Sequence, residues 1–173
     1  ESTISENADN CTNEVKIDLS ANGYRLPTEA EWEFCARGGD PNAEDWLYPY
    51  SGSIDLDKVA WFNKDCTNIV GGMEIANRLG IFDMSGNVWE WINDFYADSV
   101  SNDDSKYKEK DSDYIKDPFI SSISNMHIMR GGDYMSSEEQ LNNNDLNYSR
   151  CGNFPSSRNQ SLCIGFRLVR TIK

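Results

Sequence analysis

The sequence predicts an α+β fold with few helices, short strands and much irregular loop. Three observations carry this prediction. A single stretch has the start and stop signals of a helix, several short apolar runs read as strands, and long polar connections separate them. A length of 173 residues fits one domain that is large enough for a core.

The helix is expected over residues 29–37, within "NGYRLPTEAEWEFCARGG". Thr28 and Glu31 have the spacing of a capping box, in which each side chain satisfies a free backbone N–H at the helix start. Gly38 and Gly39 should end the helix, since glycine accepts left-handed backbone. The apolar side chains expected on its buried side are Ala30, Trp32, Phe34, Cys35 and Ala36.

Several short runs are typical of strands. "EVKIDL", within the polar residues 1–20, has the alternation of an edge strand, and "WLYPYSG" and "VAWFN" are weaker candidates. The clearest strands are "HIMRGG" and "IGFRLVR". We expect Arg130-Gly131-Gly132 and Gly165-Phe166-Arg167 to be fixed anchors, with Phe166 in the core. Residues 97–118 read as a solvated surface loop of mixed charge.

Composition excludes some functions. A formal net charge of -13 argues against nucleic acid as a partner, because phosphates would repel the chain. No apolar run approaches the roughly 18 residues of a membrane span. The chain starts at Glu1 rather than Met, and a preceding leader would make it an exported or cell-surface protein. The five cysteines form no CxxC pair, which argues against a zinc knuckle.

Four motifs occur in a characteristic order between about residues 21 and 170: "NGYRLPTEAEWEFCARGG", "LGIFDMSGNVWEW", "MRGGDY" and "IGFRLVR". Together they resemble the formylglycine-generating-enzyme/sulfatase-modifying-factor family. The resemblance implies a C-type-lectin-type fold with small antiparallel sheets. The family's domain also has an earlier half. We therefore expect residues 1–173 to be a single domain forming its C-terminal portion, with residues 1–20 poorly assigned and the N-terminal part absent.

The resemblance also bears on catalysis. Catalytic members oxidise a substrate cysteine with copper held by two cysteine thiolates, soft ligands that suit Cu(I). The matching positions here are Ser136 and Leu146, so we expect no copper and no enzyme activity. A second branch uses a three-histidine iron site, which a chain whose one histidine is His127 does not supply. A formylglycine-generating or sulfatase-modifying enzyme, or its non-catalytic scaffold relative, remains the alternative.

A third branch comprises the variable proteins of diversity-generating retroelements. Adenine-directed mutagenesis rewrites a segment just before their "GFRLV"-like end and does not produce Lys, Glu, Gln, Met or Trp from Asn codons. Residues 141–163 are rich in asparagine, and Gln160 is the only residue of an excluded type. We therefore expect a non-catalytic protein that displays a variable ligand-binding surface over about residues 133–163, because loops on a rigid scaffold tolerate substitution.

The expected surface mixes aromatic, amide and charged side chains, as recognition loops do. Its residues should form one exposed, partly concave face that binds a protein or surface glycan, and the oligomeric state stays open. For Arg150 and Arg158 the resemblance implies a competing role in internal hydrogen bonds. The ligand-binding candidates are Tyr134, Asn142, Asn143, Asn144, Leu146, Tyr148, Arg150, Phe154, Arg158 and Gln160.

One metal site is expected, in "DMSGNVWE". Calcium takes six to eight hard oxygen ligands, and this stretch offers the Asp83 and Glu90 carboxylates and the Gly86 and Val88 carbonyls. In the related enzymes, the resemblance implies, matching positions hold a structural calcium. The alternative is that the carboxylates only accept hydrogen bonds within the loop. A second calcium site of those enzymes, near residues 60–72, is expected to be lost.

Overall fold

The computed structural model describes residues 21–95, 127–142, 150–154 and 162–170, and of residues 150–154 the backbone only. The "EVKIDL" strand and the 97–118 loop lie outside these ranges. Helices and strands are both short, so the predicted α+β class with much loop is confirmed. In chain order the elements are β1 (Tyr24–Arg25), α1 (Glu29–Ala36), a 3-10 helix (Glu44–Leu47), α2 (Leu56–Val59), β2 (Trp89–Phe95), β3 (His127–Arg130), a second 3-10 helix (Glu139–Leu141), β4 (Arg150–Phe154), β5 (Ile164–Gly165) and β6 (Val169–Arg170).

The predicted helix is present as α1. Thr28 Oγ1 accepts from the Glu31 N–H at 3.2 Å, and the Thr28 N–H donates to Glu31 Oε2 at 2.8 Å, which confirms the capping box. Trp32 and Ala36 are buried as expected. The burial predicted for Phe34 is wrong, since its side chain is 45% exposed. Residues two apart on a helix point about 200° apart, so Phe34 faces away from the core that holds Trp32.

Two sheets organise the described residues. The larger has the order β4-β3-β2-β5, in which β2 pairs with β3 and β3 with β4 antiparallel, while β2 pairs with β5 parallel. The smaller sheet joins β1 and β6 antiparallel. The "HIMR" strand is confirmed as β3. The predicted "IGFRLVR" strand is divided between the two sheets, as β5 and β6.

The core position predicted for Phe166 is wrong. Phe166 is 65% exposed and Leu168 is 53% exposed, whereas Arg167 between them reaches the buried Glu90. Neighbouring side chains of an extended chain point to opposite sides. Because Arg167 points inward, Phe166 and Leu168 point outward.

Three local predictions need correction. "WLYPYSG" contains the end of a 3-10 helix and Tyr50, which forms an isolated bridge with Ser53. "VAWFN" starts with the last residue of α2 and contains Trp61, which forms an isolated bridge with Gly86. The stretch after Asp133 is not all loop, because Arg150–Phe154 forms β4 beside β3. Its polar sequence has no clear alternation of apolar and polar residues, and backbone pairing to β3 defines the strand.

Two apolar clusters form the core. One contains Trp32, Ala36, Met84, Ile92 and Ile128, and packs α1 against the large sheet. The other contains Tyr50, Leu56, Val59, Ala60 and Leu141. Among the described ranges, no helix combines the length and apolar character that crossing a membrane requires.

Candidate functional site

The segment after β3 is fixed to the scaffold before it reaches the asparagine-rich stretch. Gly131 and Gly132 have φ angles of 95° and 73°, which favour glycine. The Gly131 carbonyl accepts from the Gly86 N–H at 2.7 Å, and a Cβ on Gly132 would overlap the Leu141 side chain. Since Leu141 is only 2% exposed, the stretch from Gly131 to Leu141 is attached at both of its ends. We call residues 131–141 the first anchor.

Ser136 stands where the resemblance places a copper-binding cysteine, and it is buried. Its Oγ donates to Asp133 Oδ1 at 2.9 Å and accepts from the Asp133 N–H at 3.0 Å. The same Oδ1 accepts from the Met135 N–H at 3.0 Å. The Ser136 hydroxyl therefore closes a structural turn in the first anchor.

The exposure expected for Tyr134 as part of a ligand-binding face is wrong. Tyr134 is 8% exposed. Its N–H donates to the Asn87 carbonyl at 2.9 Å, and its carbonyl accepts from the Lys64 N–H at 2.7 Å. These two bonds place the Tyr134 backbone between two scaffold loops, and the low exposure of the residue shows that its side chain is buried.

The exposed part of the first anchor is a short ridge. Met135 is 58% exposed, and residues 137–140 are also exposed. Below the ridge, Tyr50 donates its hydroxyl to Glu138 Oε1 at 3.0 Å. Burial, aided by the Glu138 carboxylate, raises the pKa of Tyr50 to about 12, so the phenol stays protonated and the bond holds at neutral pH.

Most of the predicted ligand-binding residues follow this ridge. Asn142 is half-buried. Arg150 and Phe154 begin and end β4, whose backbone pairs Arg150 with Arg130 and Phe154 with His127. The structure thus places β4 at the edge of the large sheet. The remaining candidates, Asn143, Asn144, Leu146, Tyr148, Arg158 and Gln160, lie outside the described residues.

A second anchor holds the chain after the asparagine-rich stretch, and we define it as residues 163–167. The Cys163 carbonyl accepts from the Trp89 N–H at 2.8 Å, and β5 pairs with the start of β2. Arg167 donates Nε to Glu90 Oε2 at 2.6 Å and Nη2 to Oε1 at 2.5 Å. Both anchors therefore attach to the loop and strand built from residues 83–91.

Of the predicted calcium ligands, the Glu90 carboxylate and one oxygen of Asp83 have other partners in this arrangement. Glu90 accepts from Arg167 with both oxygens, and from Trp32 Nε1 at 2.7 Å. Asp83 Oδ2 accepts from the Gly71 N–H at 2.7 Å, while buried Oδ1 has no hydrogen-bond partner among the described residues. Asp83 Oδ1 is available as a metal ligand. The Glu90 carboxylate is available only if it loses its ion pair with Arg167. Calcium stays a prediction.

Sequence reasoning missed the central role of Asn87. Asn87 is 4% exposed and has a φ of 66°. Its N–H donates to the Trp61 carbonyl at 2.8 Å, its Oδ1 accepts from the Asn68 N–H at 3.0 Å, and its carbonyl binds Tyr134. The Gly86-Asn87 pair was the available signal, because asparagine tolerates left-handed backbone and binds nearby backbone groups.

His127, the one histidine of the chain, packs against aromatic rings. Its ring centroid lies 4.2 Å from that of Phe95 and 6.2 Å from that of Trp91. Burial lowers the pKa of His127, so the imidazole is neutral at pH 7. In the described part of the chain, no group of three or more His, Cys, Asp or Glu side chains is arranged to hold a metal ion.

Comparison with known proteins agrees with the family resemblance of the four sequence motifs. Residues 4–172 match the sulfatase-modifying factor enzyme 1-like domain. The chain is 30% identical over 157 residues to the formylglycine-generating enzyme of Streptomyces coelicolor, covering 84% of this chain and 46% of that protein. It is 27% identical over 168 residues to inactive C-alpha-formylglycine-generating enzyme 2 of Bos taurus, covering 90% of this chain and 46% of that protein.

A solved structure, Treponema denticola variable protein 1, matches with a TM-score of 0.66 and 28% identity, over 88% of this chain and 49% of that one. The chain thus spans somewhat less than half the length of each of these three proteins. The similar proteins include one named as a formylglycine-generating enzyme, one named as inactive and one named as a variable protein. The matched range and the order of the motifs agree, and the chain belongs to the sulfatase-modifying factor enzyme 1-like domain family.

Proposed function

We propose that this chain is a non-catalytic ligand-binding protein, the variable protein of a diversity-generating retroelement. Its scaffold holds the two anchors, and the residues between them recognise the ligand. The observation that carries the proposal is that residues 131–141 and 163–167 are both tied to residues 83–91, around the asparagine-rich stretch. Substitution between the anchors would then leave the contacts of the anchors themselves unchanged.

Two comparisons support this proposal. Treponema denticola variable protein 1 shares the fold, and a relative of similar sequence is named as inactive, which supports a role without catalysis. The buried Ser136 supports it further, because its hydroxyl is committed to Asp133 and an alcohol does not replace a copper thiolate. Copper therefore has no role in the proposed function.

The exposure pattern refines the proposed recognition surface. Tyr134, Ser136 and Leu141 are buried and belong to the scaffold. The exposed residues 137–140 of the first anchor border the surface, which starts at Asn142 and continues through the residues between the anchors. The proposed ligand is a protein or a surface glycan, since a wide loop surface suits broad contact.

The genome sequence around the gene for this chain provides a test of this proposal. We expect a near-copy of the coding segment for residues 141–163 beside a reverse-transcriptase gene, differing from it mainly at adenines. The segments coding for residues 127–132 and 164–170 should lack adenine-biased differences. A genome with neither the copy nor the reverse transcriptase would contradict the retroelement assignment.

A further inference from the structure

A small cavity beside the first anchor has no role in the function proposed above. Its volume is about 210 Å³, and it is lined by side chains from α2 and from the loop that follows. All of its lining residues belong to the described part of the chain. Those used below are Asp57, Trp61, Phe62, Lys64, Asn68 and Glu74.

Hydrogen bonds to the scaffold hold the walls of this cavity in place. The Trp61 indole donates Nε1 to the Cys66 carbonyl at 2.7 Å, and the Trp61 carbonyl accepts from Asn87. Asn68 binds the side chain of Asn87, and the Lys64 N–H binds Tyr134. The cavity is therefore preformed, and a ligand would not have to order these loops.

The chemistry of the lining favours a neutral ligand with many hydroxyl groups. Trp61 and Phe62 are half-buried and offer apolar surface, while Asp57 and Glu74 are exposed carboxylates that accept hydrogen bonds. Lys64 Nζ lies 5.1 Å from the Trp61 ring centroid and can donate. That ammonium already occupies the cation position over the ring and offsets one of the two carboxylate charges, while the carboxylates disfavour an anion.

We propose that this cavity is a fixed saccharide-binding site for a single hexose-sized sugar residue. The C–H face of the sugar packs on Phe62, because the Lys64 ammonium lies over the Trp61 ring. The hydroxyl groups of the sugar donate to Asp57 and Glu74 and accept from Lys64. The site uses no residue of the stretch between the anchors. A test of this site is therefore independent of the function proposed above.

Saturation-transfer difference NMR on the full chain tests the site, with the methyl glycosides of glucose, galactose, mannose and N-acetylglucosamine at millimolar concentration. We expect saturation transfer to at least one glycoside. Combining Asp57→Asn with Glu74→Gln should weaken that binding about tenfold, because two charged acceptors are lost. Asp65→Asn is the matched control, since Asp65 is an exposed carboxylate on the same loop that does not line the cavity.

The far-ultraviolet circular dichroism of each variant should equal that of the wild-type chain, since the replaced carboxylates are exposed. Absence of saturation transfer to all four glycosides would overturn the proposal. So would equal weakening by Asp65→Asn and by the double variant.

Discussion

At the scale of single residues, backbone conformation and close contact decide where substitution is tolerated. Gly86 and Gly80 both have left-handed backbone, with φ angles of 79° and 75°. They differ in surroundings, because a Cβ on Gly86 would lie 2.5 Å from the Trp61 carbonyl oxygen, while one on Gly80 meets nothing within 4 Å. Substitution of these two glycines therefore separates the free-energy cost of a positive φ angle from the cost of a steric contact.

We expect Gly80→Ala to reduce the free energy of unfolding by about 1 kcal/mol, the usual cost of left-handed backbone in an L residue. Gly86→Ala should reduce it by about 3 kcal/mol, because a backbone atom at the contact forces the loop to shift. Urea unfolding of both variants measures the difference. Equal losses would show that Gly86 is not required for the close approach to Trp61.

His127 gives a second prediction at this scale, since burial lowers its pKa below the ordinary value of 6.5. The folded state then binds the proton more weakly than the unfolded state does. The contribution of His127 to the free energy of unfolding is therefore fully present above about pH 6.5. It falls as the pH drops through that value toward the folded-state pKa. Proton NMR of the one imidazole should give a midpoint below 6.5. A midpoint at or above that value would contradict the burial of His127 against Phe95 and Trp91.

At the scale of elements, the sequence predicted the structure that contacts between neighbouring residues determine. It did not predict the structure that depends on contacts between distant residues. The Thr28–Glu31 spacing predicted α1, because a capping box is a contact between residues close in sequence. β4 was missed, because its pairing with β3 comes from residues distant in sequence. Phe166 was assigned to the core on apolar character alone, whereas the inward Arg167 sets its direction.

The Glu90–Arg167 ion pair connects the second anchor to β2, and its loss should destabilise the whole chain. Glu90→Gln should reduce the free energy of unfolding by about 3 kcal/mol, since it leaves a partly buried guanidinium with a weaker partner. The control is Asp55→Asn, which removes an exposed pair with Lys58 and should cost less than about 1 kcal/mol. Thermal melts in chelator compare them, and equal losses would contradict a structural role for the pair.

Repeating the wild-type melt in millimolar calcium tests the predicted metal site. A calcium ion bound at Asp83 and Glu90 only in the folded state would raise the melting midpoint, and we expect Glu90→Gln to lose that rise. Such binding requires Glu90 to exchange Arg167 for the metal. An identical wild-type midpoint in calcium and in chelator would remove the site and leave Arg167 as the partner of Glu90.

At the scale of the whole molecule, the family was readable from four ordered motifs, and the matched residues 4–172 confirm it. The sequence predicted less of the candidate site than of the family. The sequence shows a serine at position 136, but the burial of Ser136 with Asp133 and the burial of Tyr134 follow from scaffold contacts that the sequence does not display. Asn87 was overlooked because its three partners come from two segments that are distant from it in sequence.

The account predicts no formylglycine formation by the full chain. Purified protein supplied with copper should leave the cysteine of a sulfatase-type peptide unchanged, because Ser136 and Leu146 stand at the thiolate positions. Mass spectrometry of the peptide measures this, with the Streptomyces coelicolor enzyme as the positive control. Conversion above a copper-only blank would contradict the non-catalytic assignment.

Variation confined between the anchors is the central claim, and deep sequencing of this gene in a population of cells measures it most directly. The account predicts substitutions concentrated in the codons for residues 142–162 and falling at adenines. Codons for the first anchor and for residues 163–167 should match the genome, because Gly132, Leu141 and Arg167 hold the scaffold. Substitutions spread evenly along the gene, or absent between the anchors, would contradict the account.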